Sequence, residues 1–152
     1  GVRTEIKWPN DLMLGGKKLA GVLTETSWRW SESFAVIGVG INVNFDPSLV
    51  EGIPSTATSL RMETGRELSR PQLLREILVE IDSLLALAPE QLEYQVRSRW
   101  AARLWRRTQR VVVVEGNQIL EGVFEDVADD GALLLRLDDG SLLPLRVGDL
   151  LI

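Results

Sequence analysis

The 152-residue chain contains no cysteine and no histidine. Without cysteine, neither a disulfide nor a thiolate metal site can form, and an intracellular setting is permitted. Without histidine, imidazole acid–base catalysis and histidine zinc sites are excluded. Basic residues are in the minority: 17 Lys and Arg stand against 22 Asp and Glu, a formal net charge of −5. Neutralising nucleic-acid phosphate needs a basic face, so a general nucleic-acid binder is disfavoured. The sequence also lacks an apolar run of membrane-spanning length and a signal-like start, so no membrane association is expected. With 45% hydrophobic and 26% charged residues, it has the composition of a globular protein with room for one modest domain and a smaller one.

What the sequence does contain is concentrated early. Lys7-Trp8-Pro9-Asn10-Asp11 is followed by Gly15-Gly16-Lys17-Lys18-Leu19-Ala20-Gly21, and then by Gly38-Val39-Gly40-Ile41-Asn42-Val43-Asn44. Pro9 fixes its own φ and favours extended geometry at Trp8, so Lys7 and Asn10 are expected at a strand end leading into a turn. Gly15-Gly16 predicts a tight reversal between two strands, from which Lys17 and Lys18 emerge. A lysine in that position can meet phosphate or carboxylate as a mobile point charge. Taken singly, each segment also reads as an ordinary turn, a hairpin tip or a close strand approach. The run lacks the first glycine and the Ser/Thr of a P-loop, and Gly38-Val39-Gly40 lacks the third glycine of a dinucleotide fingerprint.

Along the chain, strands are predicted over Arg3 to Lys7, Asp11 to Leu14, Leu19 to Thr26 and Phe34 to Asn44, as an antiparallel meander with a turn over Arg29 to Ser33. A short helical turn is expected within Ala57 to Met62. The strongest helix starts at Ser69 with Pro71 in its first turn and runs to Pro89; its apolar face of Leu73, Leu74, Ile77, Leu78, Ile81, Leu84 and Leu85 should pack on the sheet. A second helix is predicted from Glu90 to about Trp105. Its arginines, Arg97, Arg99, Arg103, Arg106 and Arg107, read as a solvated surface or as partners of Glu90 and Glu93. From Arg110 onward, Val111 to Val114, Gln118 to Val127, Ala132 to Leu137 and Ser141 to Val147 alternate with Glu115-Gly116-Asn117, Asp129-Asp130-Gly131 and Asp138-Asp139-Gly140. This predicts hairpins closing a small barrel. The acidic turns do not have the spacing of an EF-hand, and turn chemistry accounts for them without a metal.

The three early segments, in this order, resemble the KWPND, KKLAG-then-acidic and GIGINVN-type segments of the biotin protein ligases, with Glu25 as the acidic residue. The resemblance continues through Ala57-Thr58-Ser59-Leu60, Gly65, an amphipathic helix and an all-β tail. It implies an α+β fold: a mixed or antiparallel sheet with packed helices, part of a class II aminoacyl-tRNA-synthetase-like catalytic fold, over residues 1–107, and a small SH3-like β-barrel over 108–152. In that family a glycine- and arginine-rich biotin-binding loop lies upstream of KWPND. No such run is present here, so the chain is expected to be the second half of the catalytic domain plus the C-terminal domain, with Gly1 marking a truncation.

The implied activity is ligation of biotin to a lysine of the biotin carboxyl carrier protein of acetyl-CoA carboxylase, with ATP and Mg2+, through biotinyl-5'-AMP, in the cytoplasm. A homodimer is compatible with it. By the family pattern, Lys18 contacts the biotin carboxylate and the adenylate linkage, with Gly21 beside it in the biotin-binding set. Lys7 contacts phosphate oxygens, and Lys7 and Lys18 form the catalytic pair. Asn10, Asp11, Gly38, Gly40 and Asn42 complete the ATP side, and no protein-held metal site is implied. A lipoate-type ligase and a noncatalytic interaction fragment stand as alternatives.

Overall fold

A computed structural model describes residues 2–29 and 32–151; Gly1 and part of the turn expected over Arg29 to Ser33 lie outside them. The elements in chain order are β1 (Glu5–Lys7), β2 (Asp11–Leu14), β3 (Lys17–Arg29), β4 (Glu32–Ile41), a 3-10 turn (Pro47–Leu49), α1 (Leu60–Thr64), α2 (Arg70–Leu85), α3 (Pro89–Ala101), β5 (Arg110–Glu115), β6 (Gln118–Val127), β7 (Leu133–Arg136), β8 (Leu142–Leu145) and β9 (Asp149–Leu150). The chain divides into two compact units, one comprising residues 1–4 and 10–67, the other residues 5–9 and 68–152.

In the first unit, β2, β3 and β4 form an antiparallel meander. Gly15 and Gly16, at φ +59° and +76°, make the β2–β3 reversal, because a two-residue hairpin turn of this hand needs positive φ at both positions. Met13, Leu14, Leu19, Ala20, Val43 and Leu60 are buried and form the core; each of the larger side chains among them contributes on the order of 2 kcal/mol when fully buried. The outer half of the β3–β4 hairpin is different. Leu23, Phe34, Val36, Ile37 and Val39 are all exposed. β4 ends at Ile41, earlier than predicted, because the backbone at Asn42 and Val43 accepts from Leu60 and Arg61 at the start of α1. Ser59 caps that helix by accepting from the Met62 N–H, and Gly65 closes it in the left-handed conformation.

The second unit is built on a five-stranded antiparallel sheet in the order β8-β7-β6-β5-β9, over a core of Val111, Val113, Phe124, Leu133, Leu135, Leu145 and Leu150. Residues 5–9, which carry β1, group with this unit without joining its sheet: the Ile6 N–H donates to the Arg103 carbonyl at 2.7 Å, and the Trp105 N–H donates to the Ile6 carbonyl at 2.8 Å. α3 therefore ends at Ala101, short of the expected Trp105. Leu104 and Trp105 are buried beyond it, and the chain turns through positive φ at Arg106 and Thr108. The Arg106 guanidinium lies 4.2 Å from the Trp105 ring centroid. Arg97 pairs with Glu93 one helical turn away and with Asp129, and Arg107 pairs with Asp126.

α2 begins as the sequence indicates, with the Ser69 hydroxyl accepting from the Gln72 N–H, but no residue of it is buried. Its apolar stripe, including Leu74, Leu78, Val79 and Leu85, stays exposed. The expected packing of this face is absent among the described residues, since periodicity defines a face without supplying the surface that covers it. No helix of the described residues is long and apolar enough to cross a membrane.

Candidate functional site

Antiparallel partners place their side chains on the same face of a sheet. Asp11 of β2 is opposite Gly21 of β3, and Gly21 is opposite Gly40 of β4, so these three form one row across the strands. Two residues along, Leu23 faces Gly38 on the same side. At Gly21, Gly40 and Gly38 this face carries no side chain, and above it lies a cavity of about 420 Å³ lined by Asn10, Asp11, Lys18, Gly21, Val22, Leu23, Gly38, Val39 and Gly40. That is within the range of small-molecule sites.

Lys18 reaches this cavity through an irregularity. Leu12 is opposite Ala20, but Met13 is opposite Lys18, so β3 carries one extra residue at Leu19. A bulge resets the alternation of faces. Without it, Lys18 and Gly21, three residues apart, would point to opposite sides. With it, the Lys18 ammonium is 2.7 Å from the Asp11 carboxylate. A Cβ built on Gly21 would come within 3.2 Å of that carboxylate and 3.7 Å of the Lys18 ammonium. Gly21 is bare where the pair crosses over it. Gly38 and Gly40 have no side chain nearer than 4 Å to such a Cβ, so their small size keeps the cavity open and does not relieve a clash.

The backbone of Lys18 is clamped from the other side. Its N–H donates to the Thr56 carbonyl at 2.7 Å, and its carbonyl accepts from the Thr58 N–H at 2.9 Å. Thr58 is fully buried, donates its hydroxyl to Glu63 at 2.6 Å, and its carbonyl accepts from the Asn42 side-chain amide at 2.9 Å. Asn10 is clipped to Val22 by two bonds of 2.9 Å, one from its side-chain amide and one to its carbonyl.

Six of the eight residues singled out from the sequence, Asn10, Asp11, Lys18, Gly21, Gly38 and Gly40, line this one cavity. Asn42 does not; its amide is engaged with Thr58. Lys7 lies in the second unit, where it is buried and its ammonium is 2.6 Å from the Asp149 carboxylate. Sequence reasoning did not anticipate Thr58 as the clamp or Asp149 as a partner. The Ala57-Thr58-Ser59-Leu60 segment was the available signal for the first; nothing local marks the second. Chemically, the cavity offers an ammonium oriented by a carboxylate, an amide and a flat glycine floor, an arrangement suited to a ligand carrying a carboxylate or phosphate beside a planar or extended body.

The N-terminal residues 1–42 match the biotin/lipoate A/B protein ligase family, and residues 109–150 match the biotin protein ligase C terminal domain. The chain belongs to the biotin protein ligase family. Among relatives of this family, the biotin–[acetyl-CoA-carboxylase] ligase of Paracoccus denitrificans is 33% identical over 146 residues, covering 88% of this chain and 57% of the relative. The ligase of the same name from Mycobacterium tuberculosis is 33% identical over 152 residues, covering 96% of this chain and 52% of the relative. The chain thus spans about half the length of the curated relatives it matches. The apo structure of the Aquifex aeolicus biotin protein ligase superposes with a TM-score of 0.82 at 25% identity, covering 99% of this chain and 65% of that one. The same enzyme has been solved in complex with biotin and ATP, and that structure gives a TM-score of 0.80.

Proposed function

We propose that this chain carries the adenylate side of a biotin protein ligase, which joins biotin to a lysine of a biotin carboxyl carrier protein through biotinyl-5'-AMP. The observation that supports it best is the Lys18–Asp11 pair held over bare Gly21. In the first step the biotin carboxylate attacks the α-phosphate of ATP, forming a carboxyl–phosphate bond and releasing pyrophosphate. In the second, a carrier lysine attacks the acyl carbon and AMP leaves. Negative charge shifts between oxygens in both steps, and a fixed ammonium placed against those oxygens is the largest contribution such a site can make. Lys18 serves that role, at the biotin carboxylate and the adenylate linkage.

Asn10 and Asp11 stand on the nucleotide side, and Gly38 and Gly40 admit the flat nucleoside along the floor. Asn42 acts behind Lys18 through Thr58. Lys7, buried against Asp149 in the second unit, is given no phosphate contact in this cavity. Magnesium enters as Mg-ATP, held mainly by phosphate oxygens and water with Asp11 or Asn10 as an additional oxygen donor. The described residues contain no cluster of three or more His, Cys, Asp or Glu side chains suited to a resident metal. Residues 1–107 supply the catalytic-domain half, residues 108–152 the C-terminal domain. The match of residues 109–150 to a biotin ligase C-terminal domain favours biotin over lipoate.

The test is biotin-dependent exchange of labelled pyrophosphate into ATP, by this chain alone and after addition of the upstream half of a homologous ligase. Exchange in either arrangement, lost in Lys18→Ala by a hundredfold or more while the variant stays folded, supports the assignment. A folded Lys18→Ala variant with near-normal exchange removes Lys18 from its role. Silence of the wild-type chain in both arrangements, in an assembly shown to form, favours a noncatalytic fragment.

A further inference from the structure

Both main-chain polar groups of Lys18 are committed to the segment before α1: the N–H donates to Thr56 at 2.7 Å and the carbonyl accepts from Thr58 at 2.9 Å. Ala57, between those two residues, is the parallel bridge partner of Lys18. Beside Lys18 the β2–β3 register shifts, and a bulge disrupts the regular ladder that would otherwise aim a side chain. The direction of the Lys18 ammonium therefore depends on where residues 56–58 are held.

One carboxylate faces both segments that flank this lysine. Glu63 Oε1 accepts the hydroxyl of the fully buried Thr58 at 2.6 Å, the short distance of a bond to an ionised acceptor. Oε2 of the same group lies 3.6 Å from where a Cβ on Gly15 would stand, against the positive-φ turn from which Lys17 and Lys18 emerge. Glu63 reaches this place from α1, whose Leu60 and Arg61 N–H groups donate to the carbonyls of Asn42 and Val43. Asn42 holds the Thr58 carbonyl, so the contact to the hydroxyl is a separate hold on the same residue. All of these groups belong to the first unit. Glu63 itself is exposed and does not line the cavity.

We propose that Glu63 is a positioning residue for Lys18: by holding the Thr58 hydroxyl and lying against the Gly15 turn, it fixes the backbone from which the lysine reaches the reacting oxygens. The proposal rests on the functional reading above. Glu63 itself touches no reacting atom in it.

The experiment compares wild type, Glu63→Gln and Glu63→Ala in the arrangement that supports pyrophosphate exchange, with biotin varied to separate kcat from KM and thermal melting measured on each. At a temperature well below its melting point, Glu63→Ala is expected to lower kcat/KM about tenfold, as misplacement of a site group does, and to raise the KM for biotin, because Lys18 loses its aim at the biotin carboxylate. Glu63→Gln, whose amide oxygen still accepts from Thr58, is expected to keep most of the activity. A residue that merely stabilises the first unit would lower the melting temperature and leave both constants of the folded protein unchanged; this result overturns the proposal and leaves the functional reading standing. Equal loss in Glu63→Gln and Glu63→Ala also overturns it, since the effect would then lie outside the Thr58 contact. If Glu63→Ala does not fold, Thr58→Val, which removes the hydroxyl and keeps the shape, takes its place: the same loss supports the proposal, and wild-type constants overturn it. Absence of exchange from the wild type in every arrangement removes the functional reading, and the proposal with it.

Discussion

The Asn42 side chain donates to the Thr58 carbonyl at 2.9 Å, and the Thr58 N–H in turn donates to the carbonyl of Lys18. An amide outside the cavity thereby holds the loop that holds the lysine. Asn42→Ala leaves the carbonyl of a fully buried residue without that donor, at a cost of about 1–3 kcal/mol. The expected outcome is a lower urea midpoint together with an exchange rate reduced about tenfold, since Lys18 loses its fixed backbone. Unchanged exchange in a destabilised variant would separate Asn42 from the site.

Gly21→Ala places a methyl 3.2 Å from the Asp11 carboxylate. That contact is with the end of a side chain, so the fold gives way there first. We expect a melting temperature close to wild type and exchange reduced at least about tenfold, because the carboxylate that orients Lys18 is pushed aside. A variant as active as wild type would show that the pair tolerates displacement.

Gly122→Ala should behave in the opposite way. A Cβ there would fall 2.5 Å from the Arg136 carbonyl and 2.9 Å from Leu135, contacts that neither the backbone nor a core side chain can yield cheaply. The second unit should lose about 1–3 kcal/mol, as overpacked cores do, measured by chemical denaturation. A wild-type midpoint would mean that β6 and β7 separate freely.

Acid should loosen the second unit. Bidentate Arg110 holds the Asp138 carboxyl below the usual aspartate range, and Arg136 does the same for Glu125. The Ala132 N–H and Arg146 lower Asp130, and Ser141 lowers Asp139. Each group binds its proton more weakly folded than unfolded, so the stabilisation is complete above the unfolded-state value and is lost as pH falls through the folded one. The melting temperature of this unit should therefore drop between about pH 5 and pH 3, and less so in Arg110→Gln. A flat profile over that interval would show that these exposed pairs contribute nothing.

How much of this could be read from the sequence depends on the range of the interaction. The Gly15-Gly16 hairpin, the Ser69 cap, β2 and β6 are set by neighbours within a few residues, and the structure has them where the pattern predicts. The clustering of Asn10, Asp11, Lys18, Gly21, Gly38 and Gly40 follows from hairpin pairing once the strands are known. The bulge at Leu19 does not, because it depends on how β3 meets β2 and on Thr56 and Thr58 holding Lys18. β9 is only two residues long and pairs with β5 over Val113 and Val114, too short to show a period. The early end of α3 depends on Arg103 and Trp105 being claimed by Ile6. The exposed face of α2 shows the limit from the other direction: periodicity marks an amphipathic stripe but carries no information on what covers it.

The Lys7–Asp149 pair also orders events in time. Its members are 142 residues apart in the chain, and a ribosome adds roughly 5–20 residues each second. The strand bearing Lys7 is thus made many seconds before the carboxylate that secures it. Residues 10–67 have their whole hairpin and core in hand by then, so they can condense during synthesis, while residues 5–9 must await the last strand. Long-separated contacts of this kind are slow to close. The second unit is consequently completed later than the first, and nascent chains stalled before Asp149 should present the first unit folded and the tryptophan at position 8 still accessible to protease and quencher.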